Sequence, residues 1–94
     1  MIYVLIEREI AEDLEATYEE AARRLLTNAY QTDGFVDGHT YTELDNPRRR
    51  FTLSQWKSVL HWQQWYSSEQ RREQMAQLTP MLAHEERITI LQRA

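Results

Sequence analysis

The chain has 94 residues, enough for one domain and one modest core. Lys and Arg number 11 against 15 Asp and Glu, a net charge of −4 that argues against a nucleic-acid footprint built on basic phosphate contacts. There is no cysteine, so disulfides, thiol chemistry and cysteine-ligated zinc are excluded.

The amino-terminal run Met1-Ile2-Tyr3-Val4-Leu5-Ile6-Glu7-Arg8 has no basic start and is soon interrupted by charge, so no signal peptide is expected. No apolar run approaches the ~20 residues of a membrane span. A cytoplasmic protein with no membrane or nucleic-acid partner is expected. Residues 2–8 are β-branched and aromatic and predict a buried strand. Glu12, Asp13 and Glu15 then crowd the positive end of a predicted helix over 12–30. Leu14, Tyr18, Ala21, Leu25 and Ala29 keep its 3.6 period, with Ala22 and Leu26 widening the stripe. Asp33-Gly34 stops it.

Residues 35–45 read as a second strand, with Phe35, Asp37, His39, Tyr41 and Glu43 on one face. Asp45-Asn46-Pro47 marks a turn, and 50–56 return as a third strand. The basic triplet Arg48-Arg49-Arg50 is expected to be a solvated hairpin tip. A short helix follows over roughly 57–66. Ser67, with Gln70 three residues on, resembles a capping box that restarts a helix over 68–79. Pro80 ends that helix, and 86–92 read as the last strand.

The order strand, helix, strand, strand, helix, strand predicts one α+β domain over residues 1–94. Its arrangement is ferredoxin-like βαββαβ: a four-stranded antiparallel sheet with helices on one face. Apolar side chains occupy both parities of the first strand: Ile2, Val4 and Ile6 on one, Tyr3 and Leu5 on the other. Helices on one face leave the second set uncovered. At roughly 25 cal/mol per Å², that exposure would cost several kcal/mol. A second copy laid sheet against sheet removes the cost, so a homodimer through the sheet faces is expected.

All three tryptophans lie in Trp56–Trp65, with His61 among them and Tyr66 next in line. Large rings at a strand-to-helix junction suit two tasks: closing a core, or walling a pocket for a flat ligand. Trp56 serves either. Trp62 and Tyr66, four apart, share a helix face and read first as core. Trp65 suits a cavity rim or a dimer contact. His39, mid-strand beside Tyr41, can hydrogen-bond a ligand hydroxyl or serve structurally, and His61 on the short helix reads as exposed. The three histidines show no metal-binding spacing, so no metal is expected. With Gly34 and Gly38 its only glycines, the chain lacks dinucleotide and phosphate-loop patterns.

The chain resembles the antibiotic biosynthesis monooxygenase family, the dimeric α+β barrel proteins. Three pieces carry the likeness: Gln31-Thr32-Asp33-Gly34-Phe35, Leu44-Asp45-Asn46-Pro47, and Trp56-Lys57-Ser58 followed by Trp65-Tyr66-Ser67-Ser68. The resemblance implies a cavity between sheet and helices. It also implies a cofactor-independent monooxygenase that oxidises a small aromatic or quinol-type compound with dioxygen. Such chemistry needs a positioned ring, a base and exclusion of water. In that reading Trp56 lines the site and Glu7 or His39 handles protons. Tyr41, His61, Trp62, Trp65 and Tyr66 contact substrate. Glu7 serves as base only if its parity faces the helices; otherwise it is a strand-end charge in solvent. The haem-degrading branch shares Trp56, but Glu7 falls where that branch has an asparagine and Met75 where it has its histidine ligand. A non-catalytic small-ligand-binding or dimerisation module of the same fold is the alternative.

Overall fold

Alternation in the first strand decides which way the whole sheet faces. In the computed structural model, which describes residues 1–94, Ile2, Val4, Ile6, Arg8 and Ile10 are buried while Tyr3, Leu5, Glu7 and Glu9 are half-buried on the other side. The elements run β1 (Ile2–Glu9), α1 (Glu15–Tyr30), β2 (Phe35–Glu43), β3 (Asn46–Trp56), α2 (Val59–Tyr66), α3 (Glu69–Leu78), a 3-10 turn (Thr79–Met81) and β4 (Arg87–Leu91). The sheet is antiparallel in the order β2-β3-β1-β4. This is the expected ferredoxin-like α+β arrangement.

The helices cover the even-numbered side of β1. The core joins Ile2, Val4, Ile6 and Ile10 to Tyr18, Ala21, Leu25 and Ala29 of α1, and to the three tryptophans. Burying each large aliphatic side chain there contributes roughly 1.5–3 kcal/mol. The other face of the sheet carries Tyr3, Leu5, Phe51, Leu53, Tyr41 and Leu91, brought together by the pairings Tyr3↔Leu91, Leu5↔Leu53 and Tyr41↔Phe51. Nothing within the chain covers it. The molecule measures 36 × 31 × 19 Å, and its short dimension is one helix layer on one sheet.

Several boundaries depart from the sequence reading for identifiable reasons. α1 starts at Glu15, not at residue 12, because Asp13 sits at φ 67°, which no helix accepts. The hairpin turns at Leu44-Asp45, so Asn46-Pro47 lies inside β3. The ladder skips from Thr42↔Arg50 to Glu43↔Asn46, a bulge that leaves Pro47 without a partner on β2, as a residue with no N–H requires. The arginine triplet is therefore not a solvated tip: Arg49 and Arg50 pair across to Glu9 and Arg8 of β1 and are half-buried. The cap of α3 is Ser68 rather than Ser67. Its Oγ accepts the Arg71 N–H at 3.2 Å, while Ser67 has helical dihedrals as the C-cap of α2.

Candidate active site

Trp56 is the last residue of β3 and lies between Ile2 on β1 and Phe35 on β2. It is 1% exposed, and its indole N–H donates to Ser54 Oγ at 3.0 Å. That bond fixes the ring plane without a charged partner. Aromatic contacts then run from ring to ring across the sheet and into α2. Tyr30 meets Phe35 at 4.7 Å, Phe35 meets Trp56 at 5.2 Å, Trp56 meets Trp62 at 5.7 Å, and Trp62 meets Tyr66 at 5.7 Å. The first three are edge-to-face, the arrangement the ring quadrupole favours.

Between this wall and α1 lies a cavity of about 480 Å³, in the range of small-molecule sites. Trp56, Trp62, Trp65 and Phe35 form its apolar end. Thr40, Thr52 and Ser54 supply hydroxyls from the sheet floor. The cavity is also cationic, lined by Arg8, Arg50 and Arg71 beside Tyr18, with the exposed Glu19 and Arg23 among its lining.

Arg8 Nε donates to Glu86 Oε2 at 2.7 Å, and Arg71 Nη2 donates to Glu86 Oε1 at 2.9 Å. Their side chains are 5% and 7% exposed. Arg8 Nη1 also donates to the Tyr18 hydroxyl at 3.3 Å. Burial works against the Arg8 charge, but Tyr18 and Glu86 outweigh it and hold Arg8 above its usual value. Burial likewise pushes the Glu86 carboxyl up, yet Arg8 and then Arg71 prevail and hold it below the ordinary value. Both shifts point the same way: the pair is ionised. The Arg71 guanidinium also sits over the rings of Tyr66, at 4.8 Å, and Trp62, at 5.8 Å.

Of the residues expected from sequence, Trp56, Trp62 and Trp65 line the cavity. Tyr66 is half exposed and reaches the site through its contacts with Trp62 and Arg71. Glu7 is directed away. Its register opposite Phe51 places it on the uncovered face, where it pairs with Arg49 at 3.2 Å and Arg87 at 3.8 Å. The premise that its parity meets the helices is therefore corrected. His39 and Tyr41, opposite Leu53 and Phe51, lie on that same face, and His39 bonds the adjacent Asp37 at 3.0 Å.

His61 is half-buried and packs on the turn before β2, not on the cavity. Its Nδ1 lies 2.6 Å from Ser58 Oγ, which also accepts the His61 backbone N–H. Its Nε2 lies 3.7 Å from Asp33 Oδ2. No three His, Asp or Glu side chains converge closely enough to share a metal ion. Sequence reasoning missed Arg8, Tyr18, Arg71 and Glu86. One signal was present: the even parity of β1 continues to Ile10, which makes Arg8 a charge on the apolar side.

Fold and site together define a small α+β domain with an aromatic cavity under its helices. The chain belongs to the antibiotic biosynthesis monooxygenase family, whose model matches residues 1–77. No curated protein matches it. Among solved structures it is similar to a conserved protein from Methanosarcina mazei Go1, with TM-score 0.92 and 22% identity over 99% of this chain and 92% of that one. It is similar to an antibiotic biosynthesis monooxygenase with TM-score 0.92 and 10% identity, covering 100% and 99%. It is also similar to SnoaB, a cofactor-independent oxygenase from Streptomyces nogalater, with TM-score 0.82 and 13% identity, covering 99% and 95%. At these identities the likeness establishes the shared fold. No helix is long and apolar enough to cross a membrane.

Proposed function

We propose that this protein is a homodimeric, cofactor-independent monooxygenase that oxidises a small aromatic or quinol-type compound with dioxygen. The observation that carries the reading is the cavity of about 480 Å³ walled by Trp56, Trp62 and Trp65 within a fold of this family. The similarity to SnoaB adds support. In the reaction with an anthrone, the ring CH₂ between two aryl groups, acidified by the carbonyl across the ring, loses a proton to give an aromatic oxyanion. That electron-rich anion reduces dioxygen. One oxygen atom becomes a new carbonyl on the ring, and the other leaves with the two hydrogens as water, so the substrate supplies all four electrons. The protein holds the ring flat against the indoles and keeps bulk water out.

Oxygen uptake with a panel of hydroquinones and anthrones tests this. Wild type should consume oxygen with at least one compound. Ala22→Trp, which fills the cavity from α1, should abolish uptake while the unfolding temperature stays near that of wild type. No uptake with any compound, or uptake unchanged in Ala22→Trp, overturns the reading. Glu7→Gln and His39→Ala should leave turnover almost unchanged, because both side chains lie on the far side of the sheet. A loss of about 100-fold, the size of a general base's contribution, would instead return either residue to the site.

A further inference from the structure

The charges around the cavity do not balance. Arg8 and Arg71 share the single carboxylate of Glu86, so two buried guanidinium groups face one buried negative charge. Arg50 pairs with Glu19 at 2.9 Å, but that glutamate is half exposed at the rim. Arg8 and Arg50 are direct cross-strand partners in the β1–β3 ladder, both lining the same space. Like charges placed opposite each other on neighbouring strands repel. A buried net positive charge is costly unless something compensates it.

The donors are also only partly used. Arg8 carries five N–H groups; Nε and Nη1 serve Glu86 and Tyr18, while Nη2 has only a 3.7 Å contact with the Met75 sulfur. The Tyr18 oxygen accepts from Arg8, and its own proton finds no protein acceptor. The Thr40 and Thr52 hydroxyls, cross-strand partners on the cavity floor, likewise have no protein side-chain or backbone partner. Donors and π-surface thus line one cavity, with Arg71 stacked over Trp62 and Arg8 facing its cross-strand partner Arg50. No unpaired carboxylate or histidine faces the interior to accept a proton.

We infer that the cavity takes its aromatic ligand as an anion, a ring bearing an ionised oxygen that docks between Arg8, Arg50 and Arg71 with Tyr18 donating to it, while the ring lies against Trp56 and Trp62. The inference rests on the cavity being the substrate site. It gives the site a chemistry for the proton step: the arginines favour the ionised form of the substrate, whose proton is left in solvent when the anion docks, and no protein base is needed.

Binding of three ring-matched probes, read by tryptophan fluorescence without oxygen, tests it. 2-Naphthoate is anionic at neutral pH, 2-naphthamide is its neutral counterpart, and 2-naphthol ionises on raising the pH. Naphthoate should bind about tenfold or more tightly than naphthamide, the scale of one charge-assisted hydrogen bond. Naphthol affinity should rise with pH as the phenolate forms. Arg50→Gln should erase most of the naphthoate preference and leave naphthamide binding unchanged. Tyr18→Phe should weaken both anions without changing fold, checked by circular dichroism. Equal binding of naphthoate and naphthamide by wild type overturns the inference, as does a preference that survives Arg50→Gln and Tyr18→Phe together. Because no turnover is needed, the anion preference can stand if oxygen uptake fails, and oxygen uptake can stand if the preference fails.

Discussion

At Arg8 a guanidinium occupies a place in β1 that an aliphatic side chain would otherwise fill, between Ile6 and Ile10 on the helix-facing side. It is tolerated because Glu86, just before β4, and Tyr18 on α1 arrive there from distant parts of the sequence. That is why the site's polar end was not legible in the sequence, while its aromatic end was. The tryptophans lie within ten residues of one another, but the arginine cluster gathers residues 8, 18, 71 and 86. The choice of face was equally hidden, since both parities of β1 carry apolar side chains and alternation alone does not say which meets the helices. Glu86→Gln should destabilise the fold by about 3–5 kcal/mol, because it leaves two buried guanidinium groups without their counter-charge. The pH dependence follows in sign. The folded Glu86 carboxyl lies below its ordinary value near 4.5, so its stabilisation is complete above that value and is lost as pH falls through the lower folded value. Thermal unfolding followed from neutral pH down through about pH 3 should show this acid loss in wild type, and a flatter profile in Glu86→Gln.

The element that fixes the tryptophan helix in place is the short turn over residues 31–34. Gly34 sits at φ +89°, and a Cβ there would lie 2.2 Å from Cγ of His61. Its carbonyl accepts the Lys57 N–H at 2.8 Å, tying the end of β3 to the start of β2. Asp33-Gly34 was readable as a helix stop, but the packing of His61 on it was not, because nothing local in Val59–Tyr66 marks that side of the helix as covered. Pro47 misled for a related reason. A proline after asparagine reads as a turn, and a strand bulge that needs no N–H satisfies the same residue. Gly34→Ala should destabilise by about 1–3 kcal/mol through strain and clash combined. The double variant with His61→Ala removes only the clash. Chemical denaturation of both should therefore show partial rescue, and no rescue would mean that backbone strain accounts for the whole effect.

For the whole molecule, a sheet covered on one side only leaves a broad apolar surface. Tyr3, Leu5, Phe51 and Leu53 form its centre, and Tyr41 and Leu91 are 53% and 41% exposed at its margins. A surface of this kind on a small domain marks an interaction site. The homodimer proposed above would bury it. Sedimentation at low micromolar concentration should give a dimer, and Leu53→Lys should shift it to monomer with a lower unfolding temperature. A stably folded wild-type monomer would overturn that assembly. The order of elements made the sheet, and the presence of one uncovered face, legible in the sequence, because both depend on period and sequence order alone; which parity forms that face was not. The cavity was not legible in this way, since it depends on how far α1 stands off the floor.

The two sides of β1 are interleaved one residue at a time, Val4, Ile6 and Arg8 inward and Tyr3, Leu5 and Glu7 outward. Deleting a single residue from this stretch would exchange the two sets, driving Glu7 toward the indoles and Arg8 out among the leucines. Homologous chains can therefore diverge along this segment by swapping side chains, but its length is frozen. Gaps and insertions should accumulate instead at the Leu44-Asp45 tip, where the leucine is 96% exposed and no such phase has to be kept.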